Sequence, residues 1–138
     1  MCIRDRAGGS LNPLTQERLD KREQYVRQDG KQVFKRAVTG MSETVKQVMS
    51  RHNLESSDID WIIPHQANER IISSVARQLD FPMERVMLNI AKYGNTSAGT
   101  IPLCLWDYEN KLNQGDNVIL TAFGGGFTWG SLFLKWAY

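Results

Sequence analysis

Three features of this sequence consist of residue types that can do chemistry. His65 comes directly after the apolar run 61–64, Asn95 lies in the segment Gly-Asn-Thr-Ser, and residues 124–126 are three consecutive glycines. A histidine can act as an acid, a base or a hydrogen-bond donor, and an asparagine amide can donate to a developing oxyanion. Glycine lets a backbone N–H approach a reacting carbonyl closely. These residues are therefore the candidates for a functional site.

Each feature also has a structural interpretation, which the residues alone leave open. His65 can be a hydrogen-bonded structural residue after a strand that ends at a proline. The pair Gly94-Asn95 is typical of a turn, and the glycine run can form a hairpin corner. As a phosphate loop the glycine run is unsuitable, because neither a Lys-Ser/Thr pair nor a helical pattern follows it. Arg70, on the first turn of a helix, can be an ordinary solvated side chain.

Composition and charge exclude several classes of protein. The chain has 138 residues, of which 41% are hydrophobic and 23% charged, so we expect one globular domain and neither disorder nor a coiled coil. The net charge of +2 is too small for a nucleic-acid-binding surface. Because the sequence has no run of about 18 apolar residues and no apolar leader, we expect a cytoplasmic protein without a membrane partner.

The two cysteines are predicted to be free thiols. Cys2 and Cys104 lie far apart in a chain without an export signal, where disulfides are uncommon. His52 and His65 do not combine with them at the spacing of zinc ligands. The sequence therefore predicts no metal site.

Alternating helices and strands are predicted to position the candidate residues. Apolar residues at spacings of three and four predict a long helix over 34–52 and a second helix over 67–79. Between them, the run 61–64 predicts a strand covered on both faces. A brief strand is predicted at 86–90. Thr96 or Ser97 is the predicted N-cap of a third helix over 101–112, in which Pro102 is tolerable only in the first turn.

The two ends of the chain complete this arrangement. The first twenty or so residues are predicted to be loop, with a possible short strand at 24–27 and a turn at Asp29-Gly30. Near the other end, segments 118–123 and 132–136 predict a closing hairpin around the glycines. The order of elements implies an α/β fold with a mixed, mostly parallel sheet and antiparallel closing strands.

The most specific feature is the order and spacing of four segments. They are residues 30–35 (Gly-Lys-Gln-Val-Phe-Lys), 60–72 (containing His-Gln-Ala-Asn), 93–98 (containing Gly-Asn-Thr-Ser) and 122–130 (containing Phe-Gly-Gly-Gly). In this arrangement the sequence resembles the β-ketoacyl-acyl-carrier-protein synthase III family, the condensing enzymes that initiate fatty acid synthesis. The resemblance covers residues 7–138 and leaves residues 1–6 as an unmatched leader.

This resemblance implies a thiolase-like fold, in which two similar α/β halves pack together around a Cys-His-Asn catalytic set. Residues 7–138 correspond to the C-terminal domain. The catalytic cysteine of the family comes from the N-terminal half, for which the chain has no counterpart. Neither Cys2 nor Cys104 matches that nucleophile, so we expect both to be bystanders. We expect the chain to be a C-terminal fragment that is inactive alone.

The resemblance also implies a role for each candidate residue. His65 and Asn95 would be catalytic, donating hydrogen bonds to the malonyl thioester oxygen during decarboxylation. The backbone N–H of Gly125 would belong to the oxyanion hole that binds the acyl-enzyme carbonyl. A cation at Arg70 suits an acidic carrier protein. The implied carrier-protein-binding segment is Gln66, Ala67, Asn68, Glu69 and Arg70.

The implied reaction joins an acyl-CoA starter to malonyl-acyl-carrier-protein with loss of carbon dioxide and requires no cofactor. The expected partners are acyl carrier protein, coenzyme A thioesters and the N-terminal half of the same enzyme, and the complete protein would be a homodimer. Two alternatives stay open. One is a related condensing enzyme of secondary metabolism, and the other is a noncatalytic binding half-domain, for which the missing cysteine is an argument.

Overall fold

The computed structural model describes residues 3–4 and 6–138, which form two sheets and five α-helices. The smaller sheet pairs β1 (Ile3–Arg4) with β2 (Arg27–Gln28). The larger sheet contains β3 (Trp61–Pro64), β4 (Asn117–Gly124) and β5 (Thr128–Lys135) in that order. The α-helices are α1 (Gln16–Asp20), α2 (Gly30–Arg51), α3 (Glu69–Gln78), α4 (Ile90–Tyr93) and α5 (Thr100–Tyr108). Short 3-10 helices occupy Ser56–Asp58, Met83–Arg85, Ser97–Gly99 and Glu109–Lys111.

The larger sheet confirms the predicted mixed α/β class. Strand β3 runs parallel to β4, with Ile62 opposite Ile119, and β4 forms an antiparallel hairpin with β5. Successive residues of a strand point to opposite faces. Ile62 and Ile119 accordingly belong to one apolar cluster, and Ile63 and Val118 belong to another. The sheet is therefore covered on both faces, as the unbroken apolar run at 61–64 predicted.

Helices α2 and α3 pack on one face of this sheet, and α5 packs on the other. Helix α2 buries one stripe that includes Ala37, Met41 and Val45, each no more than 2% exposed. Burial of each of the two larger side chains stabilises the fold by about 1.5–3 kcal/mol. Helix α3 adds Ile72 and Val75 to the same core. The carboxyl ends of β3 and β4 are thus held between two helical layers.

The strand predicted at 86–90 is not present beyond a single bridge between Val86 and Ile62. The 3-10 helix Met83–Arg85 precedes this bridge, and α4 begins at Ile90. The reason is a side chain, since the carbonyl of Met87 and the N–H of Asn89 are both bonded to the Gln66 amide. These backbone groups are therefore not available for hydrogen bonds to a neighbouring strand.

Four local predictions near helix and strand ends were also wrong. The first twenty residues include α1, and the short strand begins at Arg27 instead of at residue 24. The expected turn at Asp29-Gly30 is the start of α2, because the Asp29 side chain accepts a hydrogen bond from the N–H of Gln32. Helix α5 has Gly99 at its N-cap, in place of Thr96 or Ser97.

Other expectations about the chain are met or lie outside the described residues. Pro102 is in the first turn of α5, where its missing N–H costs no intrahelical bond. Cys2 lies outside the described residues. Within residues 3–4 and 6–138, none of the helices has the length and hydropathy that a membrane crossing requires.

Candidate active site

His65 comes directly after β3, and its backbone N–H donates to the carbonyl of Thr121 on β4 at 2.8 Å. Its side chain is half-buried, and Nδ1 lies 2.6 Å from the hydroxyl oxygen of Thr100 at the start of α5. Burial lowers the pKa of His65 below its ordinary value, since desolvation disfavours the charged ring. His65 is therefore a neutral imidazole near pH 7, bonded at one nitrogen.

Asn95 follows Gly94, which has a φ of 68° and turns the chain out of α4. The Oδ1 atom of Asn95 accepts a hydrogen bond from the N–H of Ser97 at 3.0 Å, and Ser97 itself has a φ of 53°. Because Oδ1 takes this bond, the other end of the amide is identified as Nδ2, a donor. The loop therefore presents the NH₂ group of Asn95 with a defined orientation.

The glycines after β4 form the third part of the site. Gly126 has a φ of 145°, and a Cβ there would lie 2.5 Å from Oγ1 of Thr128, so the turn requires glycine. A Cβ on Gly125 would meet no atom within 4 Å. Packing therefore does not account for the glycine at 125, because a side chain there would extend into open space.

One cleft of about 790 Å³ brings these three parts together, since His65, Asn95 and Gly125 all line it. The Phe123 and Trp129 rings stack with centroids 6.2 Å apart and form part of its wall. An apolar cleft with a few convergent donors is the usual form of a small-molecule site. Further apolar lining comes from Val33, Ala37, Met41 and Ile71.

The predicted carrier-protein-binding segment divides into three parts in the structure. Gln66 is fully buried, so its inclusion in a docking surface was wrong. Ala67 and Asn68 line the cleft, and the Asn68 side chain caps α3 by accepting from the N–H of Arg70. Glu69 and Arg70 are exposed beside the cleft but do not line it.

Gln66 is instead an internal connector between two segments of the site. Its Nε2 donates to the carbonyls of Pro64 at 2.7 Å and Met87 at 3.2 Å, and its Oε1 accepts from the N–H of Asn89 at 3.0 Å. The residue next to His65 is thereby fastened to the segment that leads to Asn95. A buried amide with these bonds fixes one segment relative to the other.

Asp107 on α5 also holds this segment. Its carboxylate accepts hydrogen bonds from Asn89 Nδ2 at 3.0 Å, Lys92 Nζ at 2.8 Å and the Tyr93 hydroxyl at 2.9 Å. The bond from Lys92, followed by that from Asn89, lowers the pKa of Asp107. The carboxylate is therefore ionised, and it ties α4 to α5 immediately before the Asn95 loop.

Cys104 is buried in the second apolar cluster, on the face of the sheet that α5 covers. Burial, and after it the charge of Asp107, raises the pKa of its thiol to about 12. A thiol with this pKa is protonated and is not a nucleophile at neutral pH. Across residues 3–4 and 6–138, no three His, Cys, Asp or Glu side chains lie together as a candidate metal site.

Sequence analysis missed Thr100, Asp107 and the contact between Gly40 and Trp129. Thr100 is 35 positions from His65, and no local pattern connects the two residues. A Cβ on Gly40 would lie 3.0 Å from the Trp129 ring, so the glycine lets this ring lie against α2 as a wall of the cleft. Trp129 lies within a segment that the sequence analysis singled out, whereas Gly40 looked like an ordinary helical glycine.

Comparison with known proteins places this geometry among relatives. Residues 49–136 match the family model described as 3-oxoacyl-[acyl-carrier-protein] synthase III C terminal. The β-ketoacyl-[acyl-carrier-protein] synthase III 1 of Bacteroides thetaiotaomicron is 53% identical over 133 residues, covering 96% of this chain and 40% of that protein. The β-ketoacyl-[acyl-carrier-protein] synthase III of Porphyromonas gingivalis has the same identity and coverage.

Solved structures agree with the sequence relatives. The crystal structure of 3-oxoacyl-(acyl carrier protein) synthase III from Pseudomonas aeruginosa has a TM-score of 0.84 and 43% identity, covering 99% of this chain and 40% of that one. The synthase III structure from Aquifex aeolicus has a TM-score of 0.79 and 38% identity, covering 98% of this chain and 44% of that one. The chain thus spans about 40% of the length of the curated relatives that it matches.

Proposed function

Because this chain belongs to the 3-oxoacyl-[acyl-carrier-protein] synthase III C-terminal family, we propose that its cleft is the hydrogen-bond-donating part of a condensing site. The reaction joins an acyl-CoA starter to malonyl-acyl-carrier-protein and releases carbon dioxide. The observation that carries this proposal is the presence of His65, Asn95 and Gly125 in one apolar cleft.

The proposed reaction has two steps. In the first, an acyl group leaves the sulfur of coenzyme A and forms a thioester with a cysteine that this chain does not supply. In the second, the bond between the malonyl carboxylate and its neighbouring carbon breaks, and its electron pair moves toward the malonyl thioester oxygen. The resulting carbon nucleophile attacks the acyl thioester and displaces the cysteine as a thiolate.

His65 and Asn95 act in the second step. Negative charge grows on the malonyl thioester oxygen as carbon dioxide leaves, and the ring N–H of His65 and the amide N–H of Asn95 donate to it. Both donors already have fixed positions, so little reorganisation accompanies the reaction. The backbone N–H of Gly125 serves the other oxygen, that of the acyl-enzyme carbonyl.

The upstream half that provides the cysteine would pack against α5. The residues of this helix from Ile101 to Trp106 are all apolar, and Trp106 is 75% exposed on the side away from the sheet. Leu103 and Leu105 are half-buried beside it. An apolar side chain of the size of Trp106 is normally buried, which supports a second layer over this part of α5. We also propose that the complete protein is a homodimer.

A carrier protein would dock beside the cleft, near the start of α3. Arg70 is exposed there, with its guanidinium 5.8 Å from the centre of the Phe34 ring. A cation suits the acidic surface and the phosphate group expected of a carrier protein. Ala67, Asn68 and Glu69 complete this surface, without Gln66.

A hybrid enzyme tests the proposal. In it, this chain replaces the matching segment of the B. thetaiotaomicron synthase III 1, so the relative provides the upstream half. We expect the hybrid to condense acetyl-CoA with malonyl-acyl-carrier-protein. A folded hybrid that forms the acyl-enzyme but does not condense would favour a noncatalytic binding role. A preference for some other starter would favour a condensing enzyme of secondary metabolism.

The chain alone provides a second test. We expect no acyl transfer from acyl-CoA to Cys104, because this thiol is buried and protonated. Mass spectrometry after incubation with acetyl-CoA measures this directly. Stable, stoichiometric acylation of Cys104 would contradict the assignment of the nucleophile to another part of the enzyme.

A further inference from the structure

We propose that the hydroxyl group of Thr100 donates its hydrogen to Nδ1 of His65 and so fixes the neutral ring in the tautomer that carries its hydrogen on Nε2. His65 then presents a hydrogen-bond donor, and not a base, to the cleft. Thr100 is a positioning residue in this arrangement, since it acts through His65.

The argument begins with the single hydrogen of the Thr100 hydroxyl. Its Oγ1 lies 2.6 Å from Nδ1 of His65 and 3.1 Å from the carbonyl oxygen of Ser97, so two acceptors compete for one hydrogen. If the hydrogen goes to Ser97, Nδ1 must carry the ring hydrogen and Nε2 is bare. If it goes to Nδ1, the ring hydrogen is on Nε2.

Two observations favour donation to His65. The carbonyl of Ser97 already accepts a hydrogen bond from the backbone N–H of Thr100, so it keeps a partner without the hydroxyl. The contact with Nδ1 is also the shorter of the two, at 2.6 Å. Short distances between hydroxyl groups and acceptors accompany the stronger hydrogen bonds.

Burial protects this bond from water. Thr100 is 2% exposed, so water does not compete for its hydroxyl group. Burial also lowers the pKa of His65, which keeps the ring neutral near pH 7 and leaves it only one N–H. Within the part of the chain that the structure describes, Nε2 has no hydrogen-bond partner, and His65 lines the cleft.

The chemical consequence rests on the proposed function. A growing negative charge on a thioester oxygen is stabilised by Nε2–H and opposed by the lone pair of a bare Nε2. With Nε2–H in place, His65 matches the donor character of Asn95. The tautomer itself does not depend on the reaction and is measurable without it.

Nitrogen NMR of the full 138-residue chain tests the tautomer. The chain has two histidines, and the exposed His52 provides an internal reference. At pH 8 we expect the Nδ1 resonance of His65 to have the shift of a bare imidazole nitrogen and Nε2 that of a protonated one. Nδ1–H in the unsubstituted chain would overturn the proposal, whether or not any variant folds.

Variants at Thr100 extend the test. Thr100→Val keeps the shape and removes the hydroxyl, so the ring should become a mixture of tautomers, whereas Thr100→Ser should retain Nε2–H. An unchanged tautomer in Thr100→Val would contradict the proposal. Thr96→Val, in the same loop but exposed, is the matched control and should leave the ring unchanged.

Kinetics of the hybrid enzyme distinguish this inference from the proposed function. Thr100→Val should slow malonyl decarboxylation about tenfold, leave acyl transfer from acyl-CoA unchanged, and be rescued by Thr100→Ser. A hybrid without condensing activity would refute the proposed function, and the NMR result would still decide the tautomer. Equal slowing of both half-reactions in Thr100→Val would contradict the positioning role.

Discussion

His65 and Asn95 line the same cleft, but their backbones are held there in different ways. His65 continues a strand whose residues Ile62 and Ile63 are buried on opposite faces of the sheet. Asn95 lies in an exposed loop, and the segment before that loop is tied by polar bonds to Asp107. Packing thus positions the backbone of His65, and hydrogen bonding positions the backbone of the Asn95 loop. A single substitution of a polar residue should therefore displace the Asn95 loop more readily than it displaces the backbone of His65.

Gln66 is an exception, because it contributes to the position of both His65 and the Asn95 loop. It follows His65 directly and bonds the backbone at Met87 and Asn89. Replacing Gln66 should therefore disturb the positions of both residues, whereas replacing Asp107 should disturb only the position of the Asn95 loop.

The largest effect on stability is expected for Gln66→Leu. The substitution leaves the buried carbonyl of Met87 and the buried N–H of Asn89 without their side-chain partners, at about 1–3 kcal/mol each. We expect the free energy of unfolding to fall by about 3 kcal/mol, measured by urea denaturation. Gln47→Leu, on the exposed side of α2, should change it by less than about 0.5 kcal/mol. Equal effects of the two substitutions would contradict the connector role.

A smaller and more selective effect is expected for Asp107→Ala. It releases Asn89, Lys92 and Tyr93, so the Asn95 loop should lose its fixed position. We expect malonyl decarboxylation to slow about tenfold, because misplacement of a donor by a fraction of an ångström weakens its bond in the transition state. Acyl transfer should be unchanged, and the exposed Glu84→Ala serves as the control.

The pH dependence sharpens this prediction. The pKa of Asp107 is lowered in the folded protein. The ionised carboxylate therefore stabilises the segment before the Asn95 loop at any pH above the ordinary pKa of 3.8, and this stabilisation is lost only as the pH falls through the lowered pKa. Lowering the pH to about 5 should therefore not reproduce the effect of Asp107→Ala. If malonyl decarboxylation slowed near that pH as much as it does in Asp107→Ala, the role of the ionised Asp107 carboxylate would be contradicted.

The smallest effect on the site is expected for Arg70→Glu, since Arg70 takes part neither in the packing that holds His65 nor in the hydrogen bonds that hold the Asn95 loop. Reversal of this exposed charge should weaken use of malonyl-acyl-carrier-protein by several-fold, most at low salt, and leave acyl-CoA use unchanged. The free energy of unfolding should change by about 0.5 kcal/mol or less. Arg77→Glu, exposed near the end of the same helix, is the matched control. A salt-independent loss with both substrates would make Arg70 structural.

The contrast between packing and hydrogen bonding also explains what could be predicted from the sequence. Helices α2 and α3 and strands β3 and β4 follow apolar patterns within one segment, so their existence could be predicted. The failure at 86–90 came from Gln66, a side chain more than 20 positions away that takes up the backbone groups a strand would use. Such contacts leave no periodic pattern.

For the candidate site too, local motifs could be found in the sequence, whereas contacts between distant residues could not. Motif order identified His65, Asn95 and Gly125, and all three line the cleft. Motif adjacency did not reveal that Gln66 points into the core while Ala67 lines the cleft, because neighbouring residues after a strand can face opposite ways. The contact between Thr100 and His65 depends on how α5 packs against the sheet, which only the fold determines.

The central claim, that His65 and Asn95 form one pair of donors for decarboxylation, is tested most directly by measuring both half-reactions in the hybrid enzyme. His65→Ala and Asn95→Ala should each slow malonyl decarboxylation by about 100-fold or more, the effect of losing one oxyanion donor, and leave acyl transfer from acyl-CoA largely intact. Equal losses in both half-reactions would contradict the claim.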